Sequence, residues 1–227
     1  MYTLYIGNKN YSSWSLRPWL LLTELGIPFT EKLQPFVDGG SYEEFREFSP
    51  TGLVPCLVDG EQTVWESLGI TEYVSEAHPE VWPQDKAARA WARSAAAEMH
   101  AGFSALRNEC PMNVGLRIEL HQVSASLTKD LSRMTELWEQ GLQRFGGPFL
   151  AGDRFTAVDA FYAPIAYRIQ TYDLALSDTA LAYANRLLEL PGMIAWTRDG
   201  LAETFREVDH EEEFLELGKI TADLRNT

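Results

Sequence analysis

The spacing of apolar and polar positions changes character once along this chain, near residue 80. In the first part Tyr2-Thr3-Leu4-Tyr5-Ile6 is a short aromatic and β-branched run that stops at Gly7-Asn8-Lys9-Asn10, which predicts a strand leading into a loop. Leu16, Trp19, Leu20 and Thr23 then recur at helical spacing. Pro18 is expected in the first turn of that helix, where a missing N–H costs little, and Gly26-Ile27-Pro28 ends it. Phe29 to Leu33 reads as a second strand and Tyr42 to Phe48 as a short helix. Leu57-Val58 and Thr63-Val64-Trp65 flank Asp59-Gly60, a hairpin signal, and Ser67 to Ala77 reads as a third helix. The predicted order is βαβαββα, a mixed α/β domain over residues 1–78.

His78-Pro79-Glu80-Val81-Trp82-Pro83 carries two prolines in six residues and reads as a linker. Beyond it the helical period dominates: Lys86 to about Glu109, Leu116 to Arg144, Ala157 to Tyr172, Ala180 to Leu190 and Met193 to about Glu203. Trp91, Ala95, Met99, Phe103 and Leu106 fall on one face of the first of these, and Thr156-Ala157-Val158-Asp159 has the form of a capping box. Residues 86–227 are therefore expected to form an all-α domain.

Composition narrows the chemistry. With 33 acidic against 19 basic residues and a net charge of -14, the chain lacks the basic surface that nucleic acid requires. It has no uncharged apolar run of membrane-spanning length and no basic region ahead of an apolar stretch, so no membrane partner is expected and a cytoplasmic location is. Cys56 and Cys110 cannot build a disulfide framework, and His78, His100, His121 and His210 never fall at metal-ligand spacing; no metal is expected. Cys56 enters a strand and Cys110 precedes Pro111, which suits packing and helix termination better than catalysis. The acidic run Glu207-Val208-Asp209-His210-Glu211-Glu212-Glu213 reads as a solvated face.

Three short motifs remain. Ser12 and Ser13 lie between the first strand and the first helix, where a hydroxyl beside a helix N-terminus can donate to a sulfur and favour its thiolate; turn and capping chemistry explains them equally well. Only one of two adjacent side chains in an extended segment faces a given side, so one serine at most does this. Val54-Pro55 precedes a strand and is either an ordinary strand-start proline or a cis bond that turns the Val54 backbone outward to pair with a peptide. Glu66-Ser67 opens the third helix; beyond simple capping, the Ser67 hydroxyl and first N–H groups suit a carboxylate, and Glu66 suits an ammonium. Together the three read as a site for a thiol tripeptide.

In this order and spacing the chain resembles the soluble glutathione transferases, most of all serine-type bacterial and zeta-like members, over nearly its whole length. Ser12-Ser13-Trp14-Ser15-Leu16-Arg17 resembles the zeta Ser-Ser-Cys-x-x-Arg motif, Thr51-Gly52-Leu53-Val54-Pro55-Cys56-Leu57 the cis-proline segment, Glu66-Ser67 the γ-glutamyl site, and Thr156 to Asp159 the capping box of the later helix. The resemblance implies a thioredoxin-like domain joined to a helical domain, a homodimer, and glutathione as co-substrate, its thiolate attacking a small electrophile in a detoxification-type reaction. Ser13 matches theta-like and delta-like spacing from Arg17, and Ser12 matches the zeta assignment. Trp14 stands where zeta members carry cysteine, which disfavours chemistry through an enzyme thiol. Tyr11, Trp14, Met99, Phe103, Leu106 and Arg107 are candidates for the electrophile pocket between the domains, although Met99 and Phe103 at this spacing suit a core better than a pocket. Zeta-like isomerases of organic diacids use an arginine on the helix after the capping box. That position aligns with Thr171, one turn beyond Arg168, so the transferase is the main reading, with the isomerase and a binding protein without catalysis as alternatives.

Overall fold

The computed structural model describes residues 1–225. Its first part is a four-stranded sheet of order β2-β1-β3-β4, built from β1 (Tyr2–Ile6), β2 (Phe29–Leu33), β3 (Cys56–Asp59) and β4 (Gln62–Trp65). β1 pairs parallel with β2, as the intervening helix demands, and antiparallel with β3 through Leu4 opposite Leu57. The expected hairpin is present: Asp59 faces Gln62 across Gly60-Glu61, and Gly60 takes φ +60°. Helices α1 (Ser13–Glu24), α2 (Tyr42–Arg46) and α3 (Ser67–Ala77) complete the predicted βαβαββα order. Leu4, Ile6, Leu16, Leu20, Leu57, Ile70 and Val74 are all fully buried between sheet and helices. One detail differs from expectation. Because α1 begins at Ser13, Pro18 lies in its second turn, where its absent N–H leaves the Trp14 carbonyl without a helical donor.

A 3-10 turn at Pro79–Val81 leads into the helical part: α4 (Lys86–Ala101), α5 (Ser104–Glu109), α6 (Ala125–Phe145), α7 (Ala157–Tyr172), α8 (Asp178–Leu188), α9 (Pro191–Ala202) and α10 (Val208–Leu217). The long helix expected from Lys86 to Glu109 is broken in two, because Gly102 and Phe103 leave helical geometry and Phe103 takes φ +54°. α7 is buried along nearly its entire length and packs against both α1 and α4, so it is the axis joining the two parts.

The helical part also contains a β-ribbon. Strand β5 (Leu116–Leu120) pairs antiparallel with β6 (Gly218–Asp223) near the carboxyl end. The helix expected from Leu116 therefore starts only at Ala125, where Ser124 Oγ accepts the Leu127 N–H as an N-cap. Leu116-Arg117-Ile118-Glu119-Leu120 alternates apolar and polar residues, a period of two that the longer helical pattern after it masked. Its partner strand lies about a hundred residues away in sequence, so no local signal names it.

The ribbon and α10 change the reading of the acidic run. Glu207 is 3% exposed and Glu211 is held by Arg225. Two of the acids expected to be solvated are therefore structural: Glu207 caps α10 by accepting the His210 N–H, and Glu211 joins Arg225 to the Tyr11 hydroxyl on the loop after β1. Among the described residues no helix is long and apolar enough to cross a membrane.

Candidate functional site

The two serines have different roles at the start of α1. Ser12 is the N-cap: its Oγ accepts the Ser15 N–H at 3.3 Å and donates to Ser15 Oγ at 2.7 Å, and Ser15 Oγ in turn accepts the Gly7 N–H. The Ser12 hydroxyl is thus spent inside the turn. Ser13 is the first helical residue, and its Oγ accepts from Arg168 Nη2 at 3.3 Å, leaving its own O–H free to donate. Arg168 is buried in α7 and also donates to the Arg107 and Cys110 carbonyls. Burial lowers its guanidinium pKa to about 10.

Val54–Pro55 is a cis bond. It follows a tight turn at Gly52, whose φ of +67° and approach to the Tyr42 ring leave no room for a side chain. Together with Thr51 and Leu53, Val54 and Pro55 form one wall of a cleft of about 360 Å³; Trp14, Glu66 and His100 form the other.

Glu66 is the N-cap residue of α3, but neither it nor Ser67 caps the helix through its side chain. Its backbone sits at φ 64°, ψ 132°, a region costly to a non-glycine residue and concentrated at functional sites. The side chain is half exposed toward His100, with Oε2 4.0 Å from Nε2. Ser67 is fully buried, and its Oγ accepts from Arg17 Nη1 at 3.4 Å. The first N–H groups of α3 are therefore free of any side-chain cap, which keeps the positive end of the helix available to an anion.

Three arginines converge here. Arg17 lies 4.1 Å from the Trp14 ring centroid, Arg107 lies 5.4 Å from the same ring, and Arg168 reaches Ser13. None forms an ion pair among the described residues, and the Nε atoms of all three are buried without a partner. Burial first, then the charges of Arg168 and Arg107, lowers the Arg17 pKa to about 9. His100 Nδ1 is likewise unpartnered, and burial followed by Arg17 lowers the His100 pKa.

Not every residue expected here faces the cleft. Met99 and Phe103 are 1% and 6% exposed and belong to the core between α4 and α7. Leu106 is also fully buried. Tyr11 is covered by the carboxyl-terminal segment: its hydroxyl donates to Glu211 Oε1 at 2.6 Å, and His210 stacks on its ring at 4.7 Å. Burial and that bond raise its pKa, so the phenol is committed as a donor to Glu211. Trp14 and Arg107 do meet at the site. His100, Arg168 and the Glu211–Arg225 clasp were not singled out as site residues from sequence. Cys56 and Cys110 are buried, with thiols pushed up by burial to about 11 and about 12, which makes poor nucleophiles. A larger concavity of about 890 Å³ lies between the ribbon, α6 and the end of α7, but it holds none of this chemistry. No group of three His, Cys, Asp or Glu suited to a metal occurs among the described residues.

A thioredoxin-like α/β domain carrying a cis-proline wall, an uncapped helix start and a serine at another helix start, followed by a helical domain, defines the class of glutathione-using two-domain proteins. Family models agree: residues 11–77 match the glutathione S-transferase N-terminal domain and residues 89–199 the C-terminal domain. The chain belongs to the glutathione S-transferase family. It is 26% identical over 211 residues to a probable maleylacetoacetate isomerase of Caenorhabditis elegans, covering 88% of this chain and 95% of that one. It is 29% identical over 171 residues to a probable maleylacetoacetate isomerase of Vibrio cholerae, covering 68% and 76%. Its fold is that of a Burkholderia glutathione transferase homologue crystallised with bound glutathione, at TM-score 0.64 and 22% identity over 88% of this chain and 97% of that one.

Proposed function

We propose that this transferase binds glutathione with its glutamyl end at Glu66 and Ser67 and its cysteinyl backbone along Val54, and that Ser13 donates to the sulfur so that the thiolate attacks a small electrophile. Residues 1–78 would hold glutathione and residues 86–227 would face the electrophile, in a cytoplasmic homodimer acting in detoxification. The observation that carries the reading is the cleft itself, in which the cis-proline wall faces Glu66 and an uncapped α3 start. An amino-acid head group presents an ammonium and a carboxylate side by side, matching Glu66 and the helix start. Ser13 supports the sulfur role because its oxygen is engaged by Arg168 while its proton is free.

A second reading has its own support. Arg168 is buried and Arg107 half-buried, neither with a carboxylate in an ion pair among the described residues, which favours an electrophile bearing one, and the relatives named above are probable maleylacetoacetate isomerases. In that case glutathione adds to the double bond and leaves again. Isomerisation of maleylacetoacetate against conjugation of a neutral electrophile separates the two.

The placement of glutathione is tested by Ser67→Ala. Losing a hydrogen bond to a charged group should weaken binding by about 1–3 kcal/mol, read by titration calorimetry. Unchanged affinity would remove the glutamyl end from Ser67.

A further inference from the structure

The chain has 33 acidic residues, yet among the described residues none is ion-paired to the three arginines around its candidate site; Glu66 and Glu213 act on Arg17 and Arg168 only from a distance. Arg17 is the extreme case. It is 2% exposed, and among the described residues its Nε has no partner and its one hydrogen bond is the 3.4 Å contact to Ser67 Oγ. A buried guanidinium without a counter-charge is costly. Part of that cost is offset by Trp14, whose indole lies 4.1 Å from the guanidinium carbon, and by Phe161 at 5.0 Å.

The position of Trp14 has a second effect. Its ring is part of the cleft wall beside Glu66, whereas Ser67, the next residue along, is fully buried. The Arg17 guanidinium, stacked on the indole and 2% exposed, therefore lies behind that ring. His100 stands edge-on to the same ring at 5.3 Å and Arg107 lies at 5.4 Å, so the indole is flanked by cations and an imidazole.

We propose that Trp14 is the gate of the carboxylate subsite: its ring covers Arg17, and the glutamyl carboxylate reaches that guanidinium only as the ring leaves. The exchange is favourable because a carboxylate hydrogen-bonded to a guanidinium and helix N–H groups replaces a cation–π contact, which is the weaker interaction in a desolvated site. The gate also selects ligands, since only one that supplies an anion to Arg17 compensates for the lost indole. This inference rests on the reading that glutathione occupies the cleft with its glutamyl end at Glu66 and Ser67.

Stopped-flow fluorescence tests it with S-(2,4-dinitrophenyl)glutathione, whose nitroaromatic group quenches the six tryptophans that remain after substitution as well as all seven in the wild type. In the wild type the observed association rate should level off with ligand concentration, at the rate at which the ring departs. Trp14→Ala should rise linearly and exceed that plateau by about tenfold or more. The matching conjugate of γ-aminobutyryl-cysteinylglycine, which lacks the glutamyl carboxylate, should show no plateau with the wild type. Should Trp14→Ala fail to fold, Trp14→Phe is read instead, with a plateau raised at least about threefold by the smaller ring. Equal linear slopes in wild type and variant overturn the gate while leaving the glutathione site intact. A wild type that binds neither conjugate overturns the glutathione reading and the gate with it.

Discussion

Replacing Asp159 with alanine is expected to cost about 3–5 kcal/mol of stability, a large loss for one side chain. The carboxylate is fully buried and accepts four hydrogen bonds: from the Leu150 N–H at 3.0 Å, the Thr156 N–H at 2.9 Å, the Thr156 hydroxyl at 3.3 Å and the Tyr183 hydroxyl at 2.8 Å. It therefore ties the start of α7 to the preceding loop and to α8. Alanine strands several buried donors at about 1–3 kcal/mol each before relaxation and removes half of the capping box. Urea unfolding measures the loss, and a change below about 1 kcal/mol would mean that water or rearrangement satisfies those donors.

The same carboxyl sets a pH dependence. Burial raises it to about 6 in spite of the four donors, against 3.8 ordinarily. Between those values the native state holds a proton that the unfolded chain has released, so this group's stabilisation is complete below about pH 4 and is lost as pH rises through about 6. Asp159→Asn removes the titration. The difference in unfolding free energy between wild type and Asp159→Asn should therefore slope between pH 4 and pH 6 and flatten outside, whereas a constant difference would assign the titration elsewhere.

The contrast between what was legible in the chain and what was not follows from the range of each interaction. Strands β1 to β4 and helix α3 are set by short-range signals, such as β-branched runs, the turn at Asp59-Gly60 and the helix start at Glu66-Ser67, and they were readable at once. The capping box at Thr156 to Asp159 was readable for the same reason, because its partners are three residues apart. Strand β5 was not, since it depends on β6 at the other end of the domain. The clasp of Tyr11 by Glu211 and Arg225 spans about two hundred residues, and a run of acids gives no sign of which one turns inward. For Met99 and Phe103, helical spacing places them on one face and favours a core without excluding a pocket, and only packing shows that they are buried in the core. Arg168 lies between these cases. Its position one turn before Thr171 was visible, whereas its approach to Ser13 depends on α7 packing across α1.

The packing of Arg168 against Ser13 also decides which serine variant should damage catalysis. Ser13→Ala is expected to raise the pKa of bound glutathione by about one unit or more, equal to about 1.4 kcal/mol of thiolate stabilisation, and to lower kcat/KM by about 10²-fold through loss of a donor aimed at developing charge. The arginine engages the Ser13 oxygen, orients the hydroxyl and leaves its proton as the donor. Ser12→Ala should act on a different quantity. Its hydroxyl caps α1 and is already donated to Ser15, so its loss should cost about 0.5–2 kcal/mol of stability while the thiol pKa stays put. Thiolate absorbance against pH, read beside urea unfolding in both variants, separates the roles. If Ser12→Ala moves the thiol pKa and Ser13→Ala does not, the assignment is reversed. If neither moves it, activation comes from the α1 terminus and the surrounding guanidinium charge, because those are the remaining positive groups beside the first turn.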